Sequence, residues 1–371
     1  MHLDPIAVTV ITGFLGAGKT TLLNRILKDP SVKNTAVIIN EFGDVAVDHL
    51  LVEQSSDGVI ELSDGCVCCS VRGELVDTIA DLIDRAQTGR IAPLERIVIE
   101  TTGLADPVPV LQSLMGHPAL VAALRLSGVV TVVDTVNGTD TLARHNEAKR
   151  QVAVADRLVL TKADLAQGDE GNALRSALRS LNPGAEVADV GGAVDLAALL
   201  ECGLYDPATK SADVARWLGE AHVHDHHDHD HGHDHHNHDH DEHHHHSERI
   251  RSFSLVHAKP IEAGAVEMFL DLVRSTQGAG LLRMKGVVQL ADDPARPLVL
   301  HAVQALMHPP ARLAAWPEGS ARETRLVFIV DGIDEAYVRR LFAAFTNQAV
   351  VDTPDRAAVE DNPLAISGFS G

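Results

Sequence analysis

Apolar residues recur along this chain with two periods, and the switches between them mark its elements. Ile6-Ala7-Val8-Thr9-Val10-Ile11-Thr12 is a nearly continuous apolar run, which predicts a strand buried on both faces. Leu22-Leu23-Asn24-Arg25-Ile26-Leu27-Lys28 shifts to helical spacing. Further strands are predicted at 35–40, 59–62, 96–100, 129–134 and 157–160, with a helix at 71–83. Residues 171–200 read as helix, short strand and helix. Strands alternating with helical segments predict an α/β domain with a mostly parallel sheet over about residues 1–205. Later, 249–256 alternates as a strand and a helix follows at 260–275. Strands near 281–290, 298–305 and 324–331 and a helix at 334–345 complete a smaller C-terminal α/β domain over about 249–350. The tail at 351–371, with Asn362-Pro363 and closing glycines, reads as frayed.

The stretch between the two domains, 206–248, has neither period. Its part from His222 to His246 holds 15 of the 22 histidines, interleaved with aspartates. With almost no apolar side chains it cannot offset the entropy of ordering, and it is expected to be a flexible linker. Imidazole is a common metal ligand, so such a tract would hold several labile Zn²⁺, Co²⁺ or Ni²⁺ ions. The blander readings are an inert spacer or a purification tag. An internal position and the aspartates argue against a tag.

Composition narrows the picture. A length of 371 residues suggests two or three domains. Hydrophobic residues make up 45% but aromatics only 3%, so the cores rest on Val, Leu, Ile and Ala, as parallel sheets do. Lys plus Arg is 31 and Asp plus Glu is 52, a net charge of −21. That balance disfavours general nucleic-acid binding and is compatible with attracting cations. No basic segment followed by an apolar one opens the chain and no run of 18 apolar residues occurs, so a cytoplasmic protein without a membrane partner is expected. Four cysteines in that setting read as metal or redox chemistry rather than a disulfide framework.

The candidate chemistry begins directly after the first strand. Gly13-Phe14-Leu15-Gly16-Ala17-Gly18-Lys19-Thr20-Thr21 fits G-x-x-x-x-G-K-[ST] in the strand–loop–helix context that this pattern needs. Glycines let successive N–H groups wrap an anion, and the helix N-terminus adds partial positive charge. Lys19 is expected on the β- and γ-phosphates and Thr20 on Mg²⁺. Glu100 ends a buried strand and Gly103 follows three residues later, where a phosphate-loop enzyme places its Mg²⁺ or γ-phosphate sensor. Thr161-Lys162-Ala163-Asp164 after another strand reads as a guanine clamp, with the Asp164 carboxylate accepting from N1–H and the exocyclic amine. Thr161 stands where Asn is commoner.

Three of the four cysteines, Cys66, Cys68 and Cys69, fall within four residues at the start of a predicted helix. A helix N-terminus favours thiolate, and three thiolates plus one outside donor make a tetrahedral zinc site. The competing readings are buried apolar thiols and a C-x-x-C redox pair. Cys202 stands alone and reads as a structural thiol, and His301 and His308 as satisfied structural histidines. Glu41-Phe42-Gly43-Asp44 and Asp48, past the second strand, sit where a switch loop would sit or form an ordinary solvated loop.

Taken together, the chain resembles the CobW family of phosphate-loop GTPases, a family of metallochaperones. The residues that carry the resemblance are G-F-L-G-A-G-K-T-T at 13–21, N-E-F-G at 40–43, C-V-C-C at 66–69, E-T-T-G-L-A-D-P at 100–107, T-K-A-D at 161–164, R-M-K-G at 283–286 and the histidine tract. The resemblance implies a P-loop NTPase domain, GTP with Mg²⁺ as its nucleotide, and Zn²⁺ or Co²⁺ as the carried metal. It implies metal ligands at Cys66, Cys68 and Cys69 with Glu41 a neighbour, phosphate contacts at Gly16 through Thr21, and guanine contacts at Lys162 and Asp164. The expected activity is GTP hydrolysis coupled to delivery of the ion to a client metalloprotein, with Lys19 and Glu100 as catalytic candidates. A passive histidine-rich buffer, cobalt delivery to a corrinoid or a nitrile hydratase, and a nucleotide kinase are the alternatives; the last lacks a recognisable lid. The sequence leaves the oligomeric state open.

Overall fold

The structure is a computed structural model, and it describes residues 5–40, 59–62, 70–190, 195–202, 249–308, 310–316 and 321–346. Glu41, Asp44, Asp48, Cys66, Cys68, Cys69, the histidine tract at 222–246 and the tail at 351–371 lie outside the described residues.

The first sheet is built from β1 (Ile6–Thr12), β2 (Thr35–Asn40), β3 (Val59–Leu62), β4 (Arg96–Thr101), β5 (Leu124–Asp134), β6 (Arg157–Thr161) and β7 (Glu186–Asp189). Its order is β3-β2-β4-β1-β5-β6-β7, and every pairing is parallel. Helices cover both faces, which is why β1 is buried from Ala7 to Thr12 and reads as a continuous apolar run. On one face, Leu22, Leu23 and Ile26 of α1 (Lys19–Lys28) pack on Val37, Val130 and Val159. On the other, Leu75, Ile79 and Leu82 of α2 (Ser70–Gln87) and Leu111 of α3 (Val108–Gly116) pack on Val8, Ile38, Ile97 and Ile99. The chain continues through α4 (Pro118–Val121), α5 (Gly138–Arg144), α6 (Asn146–Ala153), α7 (Glu170–Leu181) and α8 (Leu196–Leu200). The sheet grows in opposite directions from β1, so the carboxyl ends of β1, β4 and β5 flank a switch point, where open α/β sheets bind ligands. β5 starts five residues earlier than its apolar run indicates. Arg125, Ser127 and Gly128 interrupt the pattern, and a register shift against β1 at Val8/Thr9 absorbs the interruption.

The second sheet holds β8 (Ile250–His257), β9 (Leu281–Val288), β10 (Leu298–Val303), β11 (Leu306–Met307), β12 (Ala311–Arg312) and β13 (Thr324–Asp331). Its order is β11-β10-β9-β13-β8 with β12 on β10, and these strand pairs are antiparallel. The smaller unit expected from the sequence therefore has its helices packed on an antiparallel sheet. The helices Ala263–Gln277 and Glu335–Phe345 cover one face through Phe269, Val273, Val338 and Phe342, packed on Met284 and Phe328. The opposite face meets the first unit. Ile250, Leu282, Val303 and Ile329 share a core with Leu111, Leu114, Ala153 and Val154. Covered on both sides, β9 is buried along all eight of its residues.

Candidate functional site

At the end of β1 the chain turns through Gly13 to Gly18 into α1. Gly16 and Gly18 take φ of +70° and +95°, left-handed conformations that aim neighbouring N–H groups toward one side. Gly18 caps α1 without a side-chain bond, and the first turn carries no acid. The electropositive helix end is thus not compensated by a neighbouring carboxylate of its own first turn. Ala17 is buried, and Thr21 lies on the exposed side of the same turn. Lys19 is only 7% exposed, and its Nζ lies 3.3 Å from the carbonyl oxygen of Phe14, within the loop.

β4 lies directly beside β1, with Glu100 opposite Ile11. That register brings Glu100 to the loop: the Thr20 hydroxyl donates to Glu100 Oε1 at 3.3 Å. Glu100 is buried, and one residue on, Thr101 donates to Thr12 Oγ1 at 2.8 Å, bracing the two strand ends together. A hydroxyl and a carboxylate at this position form a pair of hard oxygen donors, which suits Mg²⁺ rather than a soft metal. Gly103 then approaches the phosphate loop so closely that a Cβ there would lie 2.8 Å from the Leu15 nitrogen. Only glycine fits that contact without moving one loop from the other.

The T-K-A-D residues are fastened to the same loop. Thr161 Oγ1 donates to Ala17 O at 2.7 Å, and Lys162 Nζ donates to Gly16 O and pairs with Asp134 Oδ2, both at 2.8 Å. The Thr161 hydroxyl ties this end to the loop without needing an Asn amide. Lys162 has φ of +56°, and the 3₁₀ turn Ala163–Leu165 that follows leaves Asp164 exposed. Burial alone would raise the Asp134 carboxyl, but Asn137 and Lys162 bonded to it outweigh burial and keep it below the usual carboxylate range. A cavity of about 250 Å³ lies alongside, lined by Phe14, Gly16, Asp134, Asn137 and Lys162 among others. The structure therefore brings Gly13, Gly16, Ala17, Gly18, Lys19, Thr20, Glu100, Gly103, Thr161 and Lys162 around one loop.

The metal-binding reading at Cys66, Cys68, Cys69 and Glu41 falls on residues outside those described. Among the described residues no group of three or more His, Cys, Asp or Glu side chains is placed to hold a metal ion. Cys202 packs against Gly128, and burial, with Asp156 nearby, pushes its thiol up to about 12. A thiol raised in this way is scarcely ionised near neutral pH, which fits the structural reading of Cys202. His301 differs from expectation. It is buried, but neither ring nitrogen has a hydrogen-bond partner among the described residues. Burial and the neighbouring Arg283 hold its pKa well below the usual value, so it is neutral, and it stacks on His308 with ring centroids 6.3 Å apart.

Another cluster is missing from the sequence reading. Asp156, at the foot of β6, accepts the Val129 N–H at 2.9 Å and is paired by Arg283 and, at 3.1 Å, by Lys285. Arg283 also donates to Val154 O. Burial would raise the Asp156 carboxyl, but the two cations outweigh it and hold the group far below the carboxylate range. Burial lowers Lys285 to about 8 against the pull of Asp156. Asp156→Ala leaves two buried cations uncompensated and is expected to cost about 3 kcal/mol of stability, measured by denaturant unfolding. The folded-state pKa of Asp156 lies below its unfolded value near 3.8, so its contribution is complete above that value and lost as the pH falls below it.

No helix among the described residues is long and apolar enough to cross a membrane. Residues 7–189 match the family described as CobW/HypB/UreG, nucleotide-binding domain, and residues 250–346 match the Cobalamin synthesis protein cobW C-terminal domain. Zinc chaperone YjiA of Escherichia coli is 43% identical over 198 residues, 53% of this chain and 61% of that protein. Zinc-regulated GTPase metalloprotein activator 1 of Schizosaccharomyces pombe is 34% identical over 55% of this chain and 50% of its own length. The chain thus spans between half and two thirds of these two relatives. Zinc chaperone CobW of Sinorhizobium sp is 31% identical over 91% of this chain and 97% of its own. The crystal structure of Zn(II)-bound YjiA GTPase from E. coli superposes with a TM-score of 0.66 at 29% identity, covering 92% of this chain and 99% of that one.

Proposed function

The chain belongs to the CobW family, carrying its nucleotide-binding and C-terminal domains in that order, and on that footing we propose that it is a GTP-hydrolysing zinc chaperone. The observation that carries this reading is the joining of the T-K-A-D turn to the phosphate loop. Thr161 and Lys162 are spent on loop carbonyls, while Asp164 stays open to a base. Gly13 to Thr21 cradle the triphosphate. Lys19 sits where charge develops as water attacks the γ-phosphate in line, and the loop N–H groups share that charge. Thr20 and Glu100 would hold Mg²⁺, which supplies neutralisation of the β- and γ-oxygens when bound. Gly103 faces the γ-phosphate, and Asp164 reads guanine.

The cargo site in this reading is the Cys66, Cys68 and Cys69 thiolates with Glu41 beside them. In sequence the cysteine segment follows β3 and precedes α2, between the loop at 41–48 and the loop that begins at Glu100, the two switch segments of this reading. γ-Phosphate orders those segments and completes the thiolate site; hydrolysis loosens it and passes zinc to a client metalloprotein. The names of the relatives favour zinc over cobalt as the cargo.

The test is a change of base. In Asp164→Asn the carboxylate acceptor becomes an amide that offers N–H to the 2-carbonyl of xanthine. GTP affinity is expected to fall by about 100-fold or more, with xanthosine triphosphate gaining in its place. A variant that keeps its preference for GTP contradicts the guanine assignment.

A further inference from the structure

The Gly103 loop is held by two neighbouring residues of α6, and they hold it in different ways. Gln151, only 1% exposed, donates from Nε2 to Gly103 O at 3.2 Å and to Ala105 O at 3.0 Å. Those bonds fix the peptide planes just after Gly103. Thr131 in turn donates to the Gln151 carbonyl at 2.7 Å, so this arm is anchored inside the first unit.

Arg150 holds the far end of the same loop. Its Nη1 donates to Asp106 Oδ2 at 3.0 Å, while Asp106 Oδ1 accepts the Val108 N–H and so starts α3. Its Nη2 donates to Asp331 Oδ2 at 2.6 Å. Asp331 ends β13 and belongs to the second sheet. One planar guanidinium therefore spans two carboxylates from two structural units, a geometry that a lysine cannot reproduce. Burial opposes the charge on Arg150, but Asp331 and Asp106 outweigh burial and raise its pKa, so the guanidinium stays charged. The other oxygen of Asp331 accepts Arg249 Nε at 3.0 Å. Gln112 of α3 also bonds Gln304 in the β10–β11 turn.

The geometry points to Arg150 and Gln151 as positioning residues for hydrolysis, with Asp331 of the C-terminal sheet as a remote part of the γ-phosphate sensor. This rests on the hydrolysis reading above. Gly103 adopts its place against Leu15 only while the loop behind it is pinned, and one of the two pins is supplied by the second unit. The C-terminal sheet thus sets how well the site meets a γ-phosphate, and it does so without touching nucleotide. The linkage is reciprocal for binding: a nucleotide that draws on Gly103 also tightens the Asp106–Arg150–Asp331 chain.

Asp331→Asn in the full chain tests this directly. Turnover of GTP is expected to fall by about 3- to 10-fold, the range of a coupling carried through one contact network. Affinity for a non-hydrolysable GTP analogue should fall with it, while affinity for GDP stays within about twofold, because GDP has no γ-phosphate for Gly103 to meet. A merely structural role would move all three alike. Arg249→Gln removes the other partner of Asp331 and should leave the analogue-to-GDP affinity ratio at the wild-type value. If Asp331→Asn fails to fold, Arg150→Lys carries the same readout, since lysine loses one of the two carboxylates. In a double-mutant cycle, Arg150→Gln and Asp331→Asn should combine to less than the product of their separate effects. Wild-type turnover together with an unchanged affinity ratio in Asp331→Asn or Arg150→Lys overturns this inference alone. A wild-type chain that turns over no GTP overturns the hydrolysis reading instead.

Discussion

Lys19→Ala is expected to abolish GTP turnover almost entirely, by about 1,000-fold, the upper end of what one preorganised charge donor supplies to a transition state. Two features make the effect large. The side chain is nearly buried inside the loop, so its charge acts in a medium that water screens little. Lys162, the other lysine beside the loop, is committed to Gly16 O and Asp134 and so does not stand in for it. The substitution should leave the fold intact, because α1 is anchored by Leu22, Leu23 and Ile26, all buried. Phosphate release under saturating GTP reads the result, with circular dichroism as the control for folding. Turnover within tenfold of wild type would mean that the loop does not carry the chemistry.

Replacing Cys66, Cys68 and Cys69 by serine is the second large change. A serine hydroxyl does not ionise near neutral pH, so three soft thiolate donors become three neutral, hard and weak ones. Thiolate zinc sites are worth about 10 kcal/mol or more in apparent binding free energy at neutral pH. Losing all three should reduce tight binding to the level of the labile imidazoles in the linker. The measurement is therefore made on protein lacking 222–246, whose 15 histidines would mask the stoichiometry. About one tightly held zinc per chain is expected with the cysteines and none without them. Retention of tight zinc in the serine variant would assign the cargo site elsewhere. A loss of nearly all capacity on removing the histidine tract, with the cysteines intact, would favour the passive buffer.

Much of this was legible in residue order because the signals are local. The run 6–12 and the glycines after it fix a strand, a loop and a helix within about twenty residues, and all three stand where the pattern places them. The T-K-A-D turn and Glu100 were legible as strand ends. What was not legible is what depends on partners far away in the chain. Helices α3, α5 and α6 span nine, seven and eight residues, about two turns each, too short for a helical period to stand out. Gln151 and Arg150 therefore had no element to be placed on, and their contacts to Gly103 and Asp331 lie 48 and 181 residues away. Arg283 and Lys285 lie two apart on β9, and both meet Asp156, 127 residues before Arg283. Two cations on one face of a strand were the only hint, and they gain meaning only once a second unit covers them. The missing hydrogen bonds of His301 were not legible for the same reason. Its surroundings come from elements distant in sequence, and they offer burial and positive charge without a hydrogen-bond partner among the described residues.

The proposed gating requires that the triphosphate pocket and the cysteine segment share one conformational equilibrium. Zinc titration of the protein lacking 222–246, once with a non-hydrolysable GTP analogue and once with GDP, tests it most directly. Zinc should bind more tightly in the analogue complex, by about 5- to 150-fold, with the analogue gaining the same factor from zinc. Equal zinc affinity in the two nucleotide states would contradict the account.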